Sequence, residues 1–306
     1  MTADLTGQEQ IAEINGISIC YETFGEPHQP ALLLIMGLAT QMIHWDDNFC
    51  QLLAEQGFRV IRFDNRDIGK SSHLKGAQAP SLTSVLANQW FGKKLKAPYT
   101  LDTMAEDAIA LMDHLKIEKF HVVGVSMGGM IAQCIAIKQP NRTMSLTSIM
   151  STTGNQSLPK PKKSVMLKVM QPPPKEHDAY IKYALGLWKL LHGQRFPFYQ
   201  ERMTKLLERA KERSFYPAGV WRQTCAILAS EDRTKALQKL HLPTLVMHGD
   251  ADPLVPVECG KATAEAINNA HLRVFPGMGH TLPEELWQQM IKEILDVVAR
   301  ADAIAS

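Results

Sequence analysis

The chain has 306 residues, 45% hydrophobic and 21% charged, an ordinary globular balance that excludes disorder, collagen and coiled coil as its main state. Its 33 basic and 31 acidic residues leave a formal charge of +2, too even for a dedicated nucleic-acid binder. Five cysteines, odd in number and without a C-x-x-C pair, argue against a disulfide framework and a zinc site and fit a reducing compartment.

The opening residues, M-T-A-D-L-T-G-Q-E-Q, carry neither a basic flank nor an apolar h-region, so no secretory signal is expected. The longest apolar run, Ala31 to Met36 and on to Ala39, falls far short of the roughly 20 residues of a membrane span. A cytoplasmic protein is the expectation.

Ile17 to Thr23 alternates as a half-buried strand does. Ala31 to Met36 is continuously apolar and stops at Gly37, the pattern of a strand buried on both faces. Further strands are predicted at Phe58 to Asp64, Phe120 to Val125, Ser145 to Met150, Thr244 to Met247 and His271 to Phe275, with a helix over Leu101 to Leu115. Strands separated by helix-length segments imply an α/β fold whose mainly parallel sheet is covered by helices on both faces.

Residues 155–240 break this rhythm. No buried strand is evident there, prolines cluster at 159–174, and amphipathic stretches such as Tyr199 to Arg213 read as helices. The segment holds 17 basic and 7 acidic residues, whereas the rest of the chain holds 16 and 24. The shift marks a helical insertion between two strands, leaving residues 1–154 and 241–306 as the core. Its basic charge either steers anionic molecules or is the solvated face of helices, the second being the commoner case.

Residues 124–128 read G-V-S-M-G, where a β-branched run gives way to a helical pattern. That strand–turn–helix setting is what a nucleophile elbow requires: glycines two residues either side let Ser126 stand exposed on a tight turn. A serine needs an oriented base. His280 ends P-G-M-G-H directly after a strand, on a loop whose glycines allow the imidazole to swing over the sheet edge. A carboxylate must then fix the histidine tautomer. Asp250 and Asp252 both follow the strand ending at Met247. Asp252 lies further out and precedes Pro253, so it is favoured, and Asp250 is expected to bond the turn. G-K-S at 69–71 is not a phosphate loop, because Asp64 stands where the leading glycine is needed.

The order Ser126, Asp252, His280 is that of the α/β-hydrolases. The chain resembles that superfamily over nearly its whole length, in L-L-L-I-M-G-L, F-D-N-R-D-I-G-K-S-S, G-V-S-M-G-G, P-T-L-V-M-H-G-D-A-D-P-L-V-P and P-G-M-G-H. Within it, M-G-L and R-D-I-G-K-S-S are most similar to esterases of the aclacinomycin methylesterase type. The resemblance implies an α/β-hydrolase sheet of about eight strands, with 155–240 as a helical cap. It implies serine-dependent hydrolysis of a small-molecule carboxylic ester with no metal or organic cofactor. The family's acid stands four residues before a proline, here Asp252 before Pro256. Its oxyanion donors fall on the backbone N–H groups of Leu38 and Met127. Many relatives carry His-Gly where this chain has Met36-Gly37, which puts the local loop conformation in question. Met36, His44, Trp45, Trp188 and Phe198 are pocket candidates. Perhydrolases, lactonases and carbon–carbon bond hydrolases share the triad and remain alternatives, as does a non-catalytic ligand-binding scaffold.

Overall fold

Alternate residues of the run Ala31–Ile35 face two different cores: Leu32 and Leu34 one, Ala31, Leu33 and Ile35 the other. All five are buried, and each leucine removed from water contributes roughly 1.5–3 kcal/mol. In the computed structural model of the chain, residues 7–85 and 95–305 are described. The run is the third strand of an eight-stranded sheet made of β1 (Gln10–Ile14), β2 (Ile17–Phe24), β3 (Ala31–Ile35), β4 (Arg59–Phe63), β5 (Phe120–Val125), β6 (Thr143–Ile149), β7 (Thr244–Gly249) and β8 (His271–Phe275). The strand order is β1-β2-β4-β3-β5-β6-β7-β8. β1 and β2 pair antiparallel with each other, β2 pairs antiparallel with β4, and every later pairing is parallel.

Helices α1 (Asp47–Glu55), α2 (Leu101–His114), α3 (Met127–Lys138), α9 (Val257–Ala266) and α10 (Trp287–Ala305) clothe the sheet. Phe49, Leu53 and the α10 residues Met290, Ile294 and Val297 pack on the Leu32/Leu34 face. Apolar residues of α2, α3 and the end of α9 cover the Leu33/Ile35 face. The chain passes from β3 to β4 on one side, and β5 pairs with β3 on the other. The loops after β3 and β5 therefore leave the sheet at its topological switch point, where open α/β sheets place their ligand sites.

Between β6 and β7 lie α4 (Lys163–Val169), α5 (His177–His192), α6 (Gln200–Arg213), α7 (Pro217–Ala229) and α8 (Thr234–Leu237). The helix expected over Tyr199 to Arg213 begins one residue later. All five cysteines are buried free thiols. Among the described residues no helix is long and apolar enough to cross a membrane.

The strand missing from the expected set is β1. Ile11 is 52% exposed while Ala12 and Ile14 are buried, so the apolar residues do not alternate with burial. The legible signal was the turn. Asn15 (φ 48°) and Gly16 (φ 74°) form a two-residue connection with Ile14 paired to Ile17, the Asn-Gly hairpin that favours positive φ at both positions.

Candidate active site

Ser126 occupies the single residue between β5 and α3, with φ 56° and ψ −118°. A non-glycine residue in that region carries strain of order 1–3 kcal/mol and needs its surroundings to hold it. Here the Ser126 N–H donates to Ile149 O at 2.8 Å, and its carbonyl accepts from Ser151 Oγ at 2.8 Å and from Met130 N at 3.1 Å. The glycines of the motif are required by contact. A β-carbon on Gly124 would meet Gly128 O at 2.1 Å, and one on Gly128 would meet Ile35 O at 2.1 Å.

His280 and Asp252 complete a linear arrangement. His280 Nε2 lies 3.0 Å from Ser126 Oγ, and His280 Nδ1 lies 2.6 Å from Asp252 Oδ2. A carboxylate can only accept, so Nδ1 carries the proton and Nε2 presents its lone pair to the Ser126 hydroxyl. Asp252 is buried, and its Oδ1 accepts from the N–H groups of Leu254 and Val255 at 2.8 Å each. Asp250 takes the other position: its Oδ1 accepts from Gly277 N at 2.5 Å in the turn that leads to His280. The structure thus brings Asp252 to the imidazole and leaves Asp250 to the loop. His248, on the strand below, was not singled out from the sequence. Its Nε2–H donates to Val255 O at 2.8 Å and stands 3.6 Å from Asp252 Oδ2, and burial pushes its pKa below the ordinary histidine value.

The loop after β3 passes directly over the serine: a β-carbon on Gly37 would lie 3.2 Å from Ser126 Cβ and 3.8 Å from Oγ. Leu38 N–H follows in this loop. Met127 N–H is the first amide of α3, one of the helix-start donors that have no intrahelical partner. Several side chains set the loop's course. Asn65 Nδ2 donates to Met36 O at 3.1 Å, Thr40 Oγ1 to Gly37 O at 2.8 Å, and Gln223 Oε1 accepts from Ala39 N at 3.3 Å. Ala39, also a non-glycine residue, has φ 62°, so these bonds hold a strained path.

Gln223 reaches this loop from α7, and its Nε2 donates to Arg66 O at 2.9 Å. Its neighbour Arg222 grips Asp67 through Nε and Nη2 at 2.8 and 2.7 Å. Burial works to raise the Asp67 pKa, but the bonds from Arg222 and the Leu74 amide outweigh it and the net shift is downward. Arg213 of α6 pairs with Asp64, which also accepts from Met42 N and Lys70 N at 2.7 and 2.9 Å. The G-K-S stretch is therefore a loop wound on a carboxylate. Sequence reading did not foresee Gln223, Arg213 or Arg222, because a polar residue on a helix carries no mark of the distant backbone it meets.

The expected pocket residues divide. Trp188 of α5 stacks on His44, with ring centroids 5.6 Å apart at 22°, just beyond the loop after β3. Desolvation around the His44 ring, with a smaller push from Arg213, drives its pKa down to about 4 despite the bond that Nδ1–H donates to Gln41 O. Met36 is buried on the α1/α10 face, and its carbonyl accepts from Asn65 Nδ2. Trp45 and Phe198 lie elsewhere in the fold. Trp45 is fully buried and stacks on Phe49, because its large ring fills the space between α1 and α10. Phe198 packs edge-on against His192 and lines an outer groove of about 420 Å³ with Ile181, Leu185 and Lys189, which none of the Ser126, Asp252 and His280 side chains lines. Among the described residues no group of three or more His, Cys, Asp or Glu could hold a metal ion.

A family model described as alpha/beta hydrolase fold matches residues 30–285. The chain belongs to that family. This alpha/beta hydrolase is 28% identical over 288 residues to rhodomycin D methylesterase DauP of Streptomyces sp. (strain C5), a match covering 87% of this chain and 90% of the relative. It is 26% identical to 3-oxoadipate enol-lactonase 2 of Acinetobacter baylyi, over 84% of this chain and 85% of the relative. Among solved structures, the enol-lactonase from Burkholderia xenovorans LB400 shares the fold with a TM-score of 0.70 at 21% identity, covering 95% of this chain and 100% of that one. The methylesterase likeness read from M-G-L and R-D-I-G-K-S-S agrees with the first of these relatives.

Proposed function

We propose that this alpha/beta hydrolase is a serine esterase acting on carboxylic esters of small molecules, with Ser126, His280 and Asp252 as its triad. The observation that carries the reading is the unbroken contact from Ser126 Oγ through His280 to Asp252, at 3.0 and 2.6 Å, on a strained elbow. Ser126 Oγ attacks the ester carbonyl carbon while its proton passes to His280 Nε2. The N–H groups of Leu38 and Met127 receive the developing oxyanion, and a preorganised donor of this kind is worth about 3 kcal/mol in the transition state. The carbon–oxygen bond to the alcohol breaks, and the alcohol leaves with the proton from His280. Water then attacks the acyl group on Ser126 and gives a proton to His280. The acyl–Oγ bond breaks, the proton returns to Ser126, and the free acid departs.

Residues 155–240 act as the cap over this site, a role supported by the insertion of α4–α8 between β6 and β7 and by the contact of Trp188 with His44. The relative DauP, a rhodomycin D methylesterase by name, supports methyl esters of bulky polycyclic acids as the first substrates to try. Lactones are the second class, supported by the enol-lactonase relative. There the same steps run with the alcohol still tethered to the acyl group. The five free thiols support a reducing compartment.

The test is burst kinetics with p-nitrophenyl esters from acetate to decanoate, on the natural chain and Ser126→Ala. A burst that vanishes in the variant is the expected result, and the preferred acyl length then measures the pocket. Full turnover by Ser126→Ala would overturn the assignment.

A further inference from the structure

The base of the site is held from an unexpected direction. The loop 277–281 that presents His280 leans on the C-terminal turn of α5, a helix of the insertion. His280 N–H donates to Leu191 O at 2.6 Å, and Gly279 N–H donates to His192 O at 3.2 Å. The last carbonyls of a helix have no partner inside it, so the two segments satisfy each other's backbone. Their approach is close: a β-carbon on Gly279 would stand 2.2 Å from Leu191 O. The His192 side chain adds a third tie. It is buried, its Nε2 lies 3.0 Å from Pro197 O, and its Nδ1 lies 2.9 Å from Thr281 Oγ1. Pro197 O can only accept, so Nε2 carries the proton and Nδ1 accepts from the Thr281 hydroxyl.

We infer that His192 is a positioning residue for the base: through Thr281 and the adjoining backbone bonds it fixes the His280 loop to α5, so that the insertion sets the reach of His280 Nε2 to Ser126. The inference rests on the esterase reading and deepens it. The same helix carries Trp188 onto His44 beside the oxyanion loop, so α5 touches both halves of the site. Misplacement of a reacting group by about 1 Å costs on the order of 100-fold in rate. A device that sets the His280 loop therefore acts on kcat.

The experiment compares full-length His192→Phe, His192→Asn and Thr281→Val with the natural chain and Ser126→Ala on one p-nitrophenyl ester. Asn keeps an acceptor where Nδ1 stood, whereas Phe keeps bulk alone. We expect His192→Phe and Thr281→Val each to lower kcat about 10- to 100-fold with KM within twofold, and His192→Asn to recover most of the loss. The double variant His192→Phe/Thr281→Val should be no slower than the worse single one, since both remove one interaction. If Ser126→Ala keeps turnover, the esterase reading itself falls. If Ser126→Ala is inert while Thr281→Val keeps the natural kcat, the reading stands and the positioning role falls. A KM increase with kcat unchanged would also overturn it. Should His192→Phe fail to fold, the other two variants decide.

Discussion

The two ends of the helical insertion are fastened in opposite ways. The later end, from Arg213 through α7, is tied to the loops of the sheet by charge out of contact with water: Arg222 grips Asp67 through two bonds, and Arg213 holds Asp64. Gln223 lies fully buried between the oxyanion loop and Arg66. The early end, through α4, buries only Val165 of its helix and leaves Leu167 74% and Met170 43% exposed. Its ties include one to the neighbouring insertion helix, where Tyr183 OH donates to Gln171 O at 2.7 Å, and a long Cys259 Sγ contact to Pro159 O. Lys160, Lys162, Lys163, Lys168 and Lys175 are all exposed, so the basic charge of this end is a solvated face. One end is therefore part of the frame of the loop after β3, and the other lies on the outside.

That contrast breaks most readily at Arg222. Arg222→Ala leaves the buried Asp67 carboxylate without its partner and should cost about 3–5 kcal/mol, read as a lowered denaturation midpoint. A loss below about 1 kcal/mol would place the pair among ordinary surface contacts. Gln223→Leu, similar in bulk, strands the Ala39 N–H and Arg66 carbonyl. It should cost about 1–3 kcal/mol and lower kcat as the Ala39 turn relaxes, with denaturant titration and steady-state kinetics as the two readouts.

The pH dependence of stability sharpens the same picture. Burial lowers His44 and His121 from the ordinary histidine value to about 4. Between that value and about 6.5 the unfolded chain takes up protons that the folded chain refuses, so stability rises with pH there. Acidification from pH 7 toward 4 should therefore destabilise the fold, and His121→Gln should make the decline shallower in urea melts. A decline as steep as in the natural chain would remove His121 from the account. At the outer end, Leu167→Ala should change stability by no more than about 0.5 kcal/mol, and a loss as large as that of Arg222→Ala would erase the distinction between the ends.

Much of this molecule can be read from local pattern. The buried run 31–35 announces itself because both faces of a parallel strand are apolar. G-V-S-M-G and P-G-M-G-H are legible because a tight elbow and a short loop need glycines at set spacings. Asp250 and Asp252 stand at different distances along the loop, and the two carboxylates take different partners, Gly277 N–H and His280 Nδ1. What escaped is of another kind. β1 hid behind the outward-facing Ile11. Trp45, which follows the loop after β3, lies buried in the core beside Phe49, a placement its neighbours in sequence do not announce. Gln223, Arg213, Arg222 and His192 act on backbone or carboxylates far away in sequence, and no period or spacing encodes such pairings.

The central claim is that Ser126 is a nucleophile activated by His280. It is tested most directly by incubating the intact chain with a fluorophosphonate probe and locating the adduct by peptide mass spectrometry. The account predicts one adduct, on Ser126, absent from Ser126→Ala and slowed at least about 100-fold in His280→Ala. An adduct on another residue, or equal labelling of the natural chain and Ser126→Ala, would contradict it.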